Sequence, residues 1–294
     1  MSSLQALQYN VHLFEGTVVE AKPLPPPTVY EDAERALAII GELLASGADL
    51  IGLTEVWANA TKLQFIDGLK SSYLHSYWDG NDNKLQLGSG LLLLSKYPLS
   101  SMAFSEFANL TGVDALSQKG FITAMVATPS PLFVVLTHTQ SGETDDDRDA
   151  RQLNLAQLAK EIPHTRPPDV PTLLMGDLNV IAETTSGQPC PQYESLLAYF
   201  HSFSVTDVYR TLHPDASQDP GYTYDAVDNR LIAIFAPTDT EQGLRQRLDY
   251  LFAAGLTARS AAQLSTTYQY QDSQTGEMMD LSDHYPLLCS FTLP

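Results

Sequence analysis

Carboxylates, amides and an imidazole occur in short motifs spread over nearly the whole chain. The four motifs are, in chain order, Leu53-Thr54-Glu55-Val56, Gly176-Asp177-Leu178-Asn179, Arg247-Leu248-Asp249-Tyr250 and Ser282-Asp283-His284-Tyr285-Pro286. Each motif follows or lies on an apolar, strand-like run, so a sheet could direct all of these side chains into one cleft. Such a set suits metal-assisted cleavage of a phosphate ester.

Glu55 and Asn10 are the first candidates for metal binding. Glu55 ends the apolar run Leu50-Ile51-Gly52-Leu53, and Asn10 follows the strand-like residues Leu7 to Tyr9. Carboxylate and amide oxygens suit Mg²⁺ or Mn²⁺. A single Glu in this position is more often a solvated strand end, so the metal prediction depends on the other motifs.

Asp177 and Asn179 are two positions apart. In an extended segment such residues project to the same side, so Asp177 could orient a water molecule while Asn179 donates to a phosphoryl oxygen. Gly, Asp and Asn are also turn formers, and a purely structural turn is the alternative.

His284 is the candidate for proton transfer. A neutral His near its reference pKa suits this role and needs a carboxylate to fix its tautomer. Asp249, on a different strand, is the predicted partner, and neighbouring Asp283 is left free for a metal.

His138, after the apolar run Leu132 to Leu136, is predicted to stabilise phosphate charge or protonate a leaving group; a buried structural His is the alternative. No role is predicted for the other five histidines, which are His12, His75, His164, His201 and His213.

The elements that must position these motifs alternate between strands and helices. Strands are predicted at residues 4–11, 49–56, 89–95, 120–128, 131–137, 170–175, 247–252 and 285–292. Helices are predicted at residues 31–45, 61–70, 147–161 and 192–201. Leu37, Ile40 and Leu44 have helical spacing in the first, and Pro163 is expected to end the third. Prolines between Lys22 and Thr28 predict an irregular loop. This order predicts mixed sheets in a single α/β domain spanning residues 1–294.

Composition limits the partners and the compartment. Acidic residues outnumber Lys and Arg by 35 to 16, and the formal net charge is -19. Nucleic acid is therefore not an expected partner, although a divalent cation can reverse the potential locally.

The sequence as given has no secretion signal and no apolar run long enough to cross a bilayer, which predicts a cytoplasmic protein, or a secreted one if a signal was removed. Cys190 and Cys289 are predicted to be unlinked thiols, with a disulfide as the alternative.

Taken together and in this order, the motifs resemble the endonuclease/exonuclease/phosphatase superfamily from Asn10 to Pro286. The resemblance implies a four-layer α/β/β/α sandwich of two packed mixed sheets, as in deoxyribonuclease I. It also implies in-line attack by water on phosphorus, with Mg²⁺ at Glu55 and with Mn²⁺ or Co²⁺ as substitutes. The residues implied to assist are Asn10, His138, Asp177, Asn179, Asp249, Asp283 and His284.

Within that superfamily the chain is most similar to the neutral sphingomyelinase branch. The similarity lies in Glu55-Val56-Trp57-Ala58-Asn59 and in Asp114-Ala115-Leu116-Ser117-Gln118-Lys119-Gly120, where the branch uses the Lys to contact substrate phosphate. It implies a monomeric phospholipase C-type enzyme that hydrolyses sphingomyelin, or a related phospholipid, to phosphocholine and ceramide, with peripheral membrane contact.

Departures from the branch keep other substrates open. Leu87-Gly88-Ser89-Gly90 lacks the acidic residues of the branch's additional edge metal, so Asn59 is not expected to bind one. Only Tyr268 and Tyr270 stand where the branch has an aromatic, membrane-inserting hairpin. A nuclease, a phosphatase of phosphoinositides or nucleotides, and a non-catalytic binding scaffold are the alternatives.

Overall fold

The computed structural model describes residues 2–15, 29–79 and 87–294, and the predicted loop at residues 22–28 lies outside these ranges. The strands of the described part are β1 (Ser3–Leu13), β2 (Leu50–Val56), β3 (His75–Tyr77), β4 (Leu92–Ser95), β5 (Leu99–Glu106), β6 (Gly120–Val126), β7 (Leu132–His138), β8 (Thr172–Asp177), β9 (Thr206–Asp207), β10 (Tyr224–Asp225), β11 (Arg245–Gln246), β12 (Asp249–Ala254), β13 (Thr257–Gln263), β14 (Gln269–Gln271), β15 (Met278–Asp280) and β16 (Leu287–Thr292). The helices are α1 (Asp32–Ser46), α2 (Asn59–Leu69), α3 (Asp145–Thr165), α4 (Pro191–His201), α5 (Val208–Leu212), α6 (Ile232–Phe235) and α7 (Pro237–Gln242). A 3-10 turn covers Asp114–Leu116.

Two six-stranded sheets form the framework. The first has the strand order β13-β16-β1-β2-β4-β3, and the second has the order β5-β6-β7-β8-β12-β9. β1 pairs with β2 in parallel, as β7 does with β8, and the other pairs in these sheets are antiparallel. Both sheets are therefore mixed, as the sequence predicted. Two small ribbons, β10-β11 and β14-β15, lie outside them.

The sheets pack face to face over one apolar core. Leu4 and Leu93 of the first sheet belong to the same buried cluster as Val134 and Leu173 of the second. Gly52 marks a close approach, because a Cβ at this position would lie 2.7 Å from a methyl carbon of Leu136. A larger residue there would push the sheets apart.

Helices cover both outer faces. Ile39 and Leu43 of α1 pack with strand residues such as Leu53, and Leu155 of α3 packs with Leu174. Leu173 and Leu174 face opposite cores, which is the two-residue alternation of a strand buried on both sides. The layer order is α/β/β/α, and the predicted fold is confirmed.

Several local predictions differ from the structure. Helix α1 buries Ile39 and Leu43, while Leu37 and Leu44 are exposed, so the predicted apolar face was wrong in part. Helix α3 continues past Pro163 to Thr165. A proline so close to the end costs one main-chain hydrogen bond, and the buried Ile162 still anchors that turn.

Other expectations agree with the structure. Cys190 and Cys289 are both free thiols. The strands predicted at residues 120–128 and 131–137 form the antiparallel pair β6-β7. In the described ranges, no helix has both the length and the apolar character to cross a membrane.

Candidate active site

The strand register brings the polar motifs together at one end of neighbouring strands in the second sheet. His138 ends β7 and pairs with Asp177 at the end of β8, because the two strands are parallel. Asp249 begins β12, and since this strand runs antiparallel to β8, Asp249 also pairs with Asp177. Three residues from distant parts of the chain thus lie side by side.

The first sheet brings its own strand ends to the same place. Asn10 is paired with Thr54, next to Glu55. The Asn10 Nδ2 donates to Asp177 Oδ2 at 2.9 Å and to Glu55 Oε1 at 3.1 Å. Asn10 therefore links the carboxylates of the two sheets directly.

His284 is held by Asp249. Its Nδ1 lies 2.7 Å from Asp249 Oδ2, and its Nε2 lies 3.9 Å from Asp177 Oδ2. Burial opposes a charged ring, but the negative charges of Asp249 and Asp177 outweigh it and raise the pKa of His284 well above its usual value. One ring nitrogen is thus fixed and the other is directed toward the carboxylates.

Asp177 occupies the centre of the cluster. Burial and the neighbouring charge of Asp249 raise the pKa of Asp177 to about 7. Its Oδ1 accepts from the backbone N–H of Asn179, whose φ of 49° is left-handed. Asp177 ends β8 while Asn179 is not extended, so the expected extended segment holds only for the first of the two residues, yet both side chains line the same cavity.

His138 is fully buried behind these carboxylates. Its Nε2 lies 3.7 Å from Asp177 Oδ2 and 3.9 Å from Glu55 Oε1, and neither ring nitrogen has a hydrogen-bond partner among the described residues. Burial, together with the charges of Lys119 and His284, lowers the pKa of His138 well below its usual value. His138 is therefore a neutral imidazole with a nitrogen available to a ligand or a water molecule.

Lys119 is a buried cation at the side of the cavity. Its Nζ donates to Asp114 Oδ2 at 2.8 Å and to the Thr139 carbonyl oxygen at 3.2 Å. Asp114 Oδ2 also accepts from the Ser141 backbone N–H at 2.6 Å. The ion pair holds the lysine beside Asn179, which donates to the same carbonyl.

His12, for which the sequence analysis predicted no role, lies beside the acidic cluster. Its Nδ1 lies 3.1 Å from Asp283 Oδ2 and 3.5 Å from Glu55 Oε2. The ring stacks on Phe235 with centroids 4.1 Å apart. The one available signal was its place two residues after Asn10 on the same strand.

Backbone strain is concentrated here. His12, Glu55 and Asn179 all have positive φ angles, of 46°, 60° and 49°. Residues other than glycine adopt this conformation at a cost of about 1–3 kcal/mol and keep it only where the surrounding structure enforces it. The fold thus bends the ends of β1, β2 and β8 to direct these side chains.

The cluster fits a divalent cation. Potential ligand atoms of Glu55, His138 and Asp177 lie within 4.8 Å of one another, as do those of Asp177, Asp249 and His284. Within the described ranges, Glu55 Oε2 is buried without a hydrogen-bond partner. A buried carboxylate oxygen without a donor is costly unless a cation or water satisfies it. Asp283 lies near this set, because the Nδ1 of His12 is close to both Asp283 Oδ2 and Glu55 Oε2.

A cavity of about 730 Å³ opens over these groups. Glu55, Asp177, Asp283 and His284 line its polar end, and Trp57 is among its apolar lining residues. This volume is in the range of small-molecule sites, which run from about 300 to 1,000 Å³.

The fold and the site together define a two-sheet α/β sandwich protein with an acidic, histidine-containing cleft at the joined strand ends. Sequence comparison identifies the family. The chain belongs to the Endonuclease/Exonuclease/phosphatase family, whose sequence model matches residues 7–284.

Curated relatives share about a quarter of the aligned residues. Sphingomyelinase C of Bacillus cereus is 24% identical, over 99% of this chain and 90% of that protein. Sphingomyelinase C 2 of Leptospira interrogans is 24% identical over 86% of this chain, which spans only 41% of that longer protein. A phospholipase C of Staphylococcus aureus is 23% identical, over 81% of this chain and 74% of that protein.

Solved structures share the fold. Sphingomyelinase C from Streptomyces griseocarneus superposes with a TM-score of 0.75 at 23% identity, covering 99% of this chain and 100% of that one. A mutant beta toxin from Staphylococcus aureus with bound magnesium ions gives 0.74 at 20% identity, over 98% and 99% of the two chains. TDP2 of D. rerio, complexed with a single-stranded DNA product, gives 0.72 at 17% identity, over 99% and 100%.

Proposed function

We propose that the chain is a metal-dependent phosphodiester hydrolase that cleaves sphingomyelin or a related phosphocholine lipid. The observation that carries the proposal is the convergence of Glu55, Asp177 and His284 at one end of a cavity large enough for a lipid headgroup, with Asp249 held against His284. Membership of the family supports the hydrolase, and the names of the sphingomyelinase relatives support the lipid.

Glu55, Asp177 and their neighbours would hold Mg²⁺, which when bound would stabilise negative charge on the phosphoryl group. The acidic cluster needs such a cation, because a substrate phosphate would otherwise meet several carboxylates in a buried site. A bound cation would also lower the pKa of His284 from its raised value, since it offsets the carboxylate charges that raise it.

The chain's own residues would position water and move protons. Asp249 fixes His284 through Nδ1, so Nε2 is the atom that exchanges a proton. Asp177 would orient the attacking water, and Asn179 and Lys119 would donate to phosphoryl oxygens from the same side of the cavity. His138, neutral and buried, would donate a hydrogen bond to developing charge.

The proposed reaction is hydrolysis of the phosphodiester bond to the lipid. The water oxygen forms a bond to phosphorus as the bond from phosphorus to the lipid alkoxide oxygen breaks. One proton leaves the water, and one proton reaches the alkoxide. With sphingomyelin the products are phosphocholine and ceramide.

The test measures phosphocholine release from sphingomyelin in mixed micelles with and without Mg²⁺, beside a lysophospholipid, a phosphoinositide and plasmid DNA. His284→Ala serves as the blank and is expected to lose at least about 10²-fold in turnover. Mg²⁺-dependent cleavage that disappears in the variant supports the proposal. Cleavage of DNA or phosphoinositide alone would mean that the same mechanism acts on another substrate. Equal rates in wild type and His284→Ala would refute the proposal.

A further inference from the structure

Apolar residues form a wall of the cavity beside the catalytic groups, since Phe14 contacts His12 and Trp57 lies near His138. It consists of Phe14, Trp57, Leu87, Val113 and Leu116. Trp57 and Leu87, with Phe14 packed against them, form a small hydrophobic cluster separate from the three cores that hold the layers together. Packing of the layers therefore does not account for this wall.

Two residues of the wall are open to solvent. Val113 is 74% exposed and Leu116 is 39% exposed, and both line the cavity. Val113 immediately precedes the 3-10 turn and Leu116 is its last residue, and Asp114 of the same turn forms the ion pair with Lys119. Neither residue belongs to a buried core cluster of the described part of the chain, and their position at the cavity suits contact with an apolar part of a ligand.

The turn is rigidly placed. The Leu87 backbone N–H donates to the Leu116 carbonyl oxygen at 2.9 Å, and Asp114 is tied to Ser141 and Lys119. The predicted phosphate contact and the apolar wall are therefore held at a fixed spacing. A phosphodiester bound at Lys119 would have an apolar surface within reach of its leaving group.

The two tyrosines at the ribbon β14-β15 are not available for contact with a lipid surface. Tyr268 is 2% exposed and packs edge-on against Tyr9, while the Tyr270 hydroxyl donates to Glu31. Both aromatic side chains thus point inward. The net charge of -19 also disfavours contact with an anionic bilayer.

We infer that the wall binds the apolar leaving group of single phosphodiester molecules dispersed in water, so that the chain selects lipids with an apolar arm without docking on a membrane. The inference rests on the proposed hydrolase function. It predicts a preference for lysolipids and short-chain lipids over both headgroup analogues and packed bilayers.

The test compares two substrates that share phosphocholine and differ in the leaving group: dodecanoyl lysophosphatidylcholine below its critical micelle concentration, and glycerophosphocholine. Wild type is expected to favour the lysolipid by about tenfold or more in kcat/KM, because one or two buried apolar groups discriminate by that much. The double variant Val113→Ser/Leu116→Ser should lose about tenfold more on the lysolipid than on glycerophosphocholine. Leu37→Ser, which removes an exposed leucine on α1, is the matched control and should change neither value.

Binding without turnover separates this inference from the proposed function. Dodecylphosphocholine, added with Mg²⁺ to the inactive His284→Ala protein in a Trp78→Phe background, is expected to change the fluorescence of Trp57 and to bind about tenfold more weakly when the double substitution is added. An unchanged substrate ratio in the double variant, or a rate that rises only above the critical micelle concentration, would overturn the inference. If wild type cleaves neither of these substrates and does not cleave sphingomyelin either, the proposed function fails, and dodecylphosphocholine binding alone decides whether the wall is a lipid site.

Discussion

Replacing Asp249 by Asn tests whether the Asp249–His284 pair carries out proton transfer in the proposed reaction. The carboxylate is fully buried and lies 2.7 Å from His284 Nδ1. Asn keeps the shape, removes the charge and can present an N–H to the same ring nitrogen, which would favour the wrong tautomer. Loss of a hydrogen bond to a charged group costs about 1.5–3 kcal/mol, and tautomer inversion in a related proton-transfer dyad costs about 10⁴-fold in rate. We expect kcat to fall by about 10²- to 10⁴-fold.

The assay is steady-state phosphocholine release at saturating Mg²⁺, with imidazole ¹⁵N chemical shifts to report the protonation of His284. The matched control is Asp280→Asn, which neutralises another buried carboxylate that accepts from the Arg230 backbone N–H. The control should keep most of the activity. A kcat in Asp249→Asn within about threefold of wild type, with His284 still protonated at Nδ1, would show that the dyad does not carry the reaction.

Three further predictions concern metal binding, phosphate binding and stability. Glu55→Gln should weaken Mg²⁺ binding by about tenfold or more in calorimetric titration, since the site loses one negative ligand; unchanged heats would exclude Glu55 as a ligand. Lys119→Met should lower kcat/KM by about 10²-fold, and adding Asp114→Leu should restore thermal stability without activity, because the unpaired buried carboxylate is then removed. Asp147→Asn should lower the free energy of unfolding at pH 7 but not at an acidic pH below the lowered pKa of Asp147. Although burial opposes ionisation, hydrogen bonds from Thr144 lower the pKa of Asp147, so its stabilisation is lost only as the pH falls through that lowered value; equal effects at both pH values in urea unfolding would contradict this.

The strand ends were predictable because their signals are local. Each apolar run of β2, β7 and β8 stops at a polar residue, and buried strands are recognisable by that boundary. The pairing of Asp249 with His284 was also predictable, since a proton-transfer His needs a carboxylate and Asp283 occupies the adjacent position in the chain. Strands β5 and β13 were not predicted. They are sheet-edge strands with several exposed polar residues, and they lack a continuous apolar run.

His12 shows where sequence reasoning ends. Its imidazole lies close to Glu55 and Asp283, but its φ is 46° and the pairing of β1 with β2 shifts register between Asn10 and Leu13. Such an irregularity breaks the two-residue alternation, so the spacing of His12 from Asn10 alone does not fix the direction of its side chain. A local deviation of this kind is imposed by neighbouring strands. Residues whose position depends on strain are therefore the ones that a pattern of residue types does not locate.

The strain at Glu55 can be measured apart from its charge. Glu55→Ala and Glu55→Gly both remove the carboxylate, but only glycine adopts a φ of 60° without cost. We expect the Gly variant to be more stable than the Ala variant by about 1 kcal/mol in urea unfolding, and both to lose Mg²⁺ binding. The same pair at the neighbouring strand residue Thr54 should show the opposite order, because glycine in an ordinary strand position is destabilising by about 0.5–1 kcal/mol. If Ala were the more stable residue at both positions, the left-handed turn at the end of β2 would carry no strain, and the bent strand end would have to be explained by packing alone.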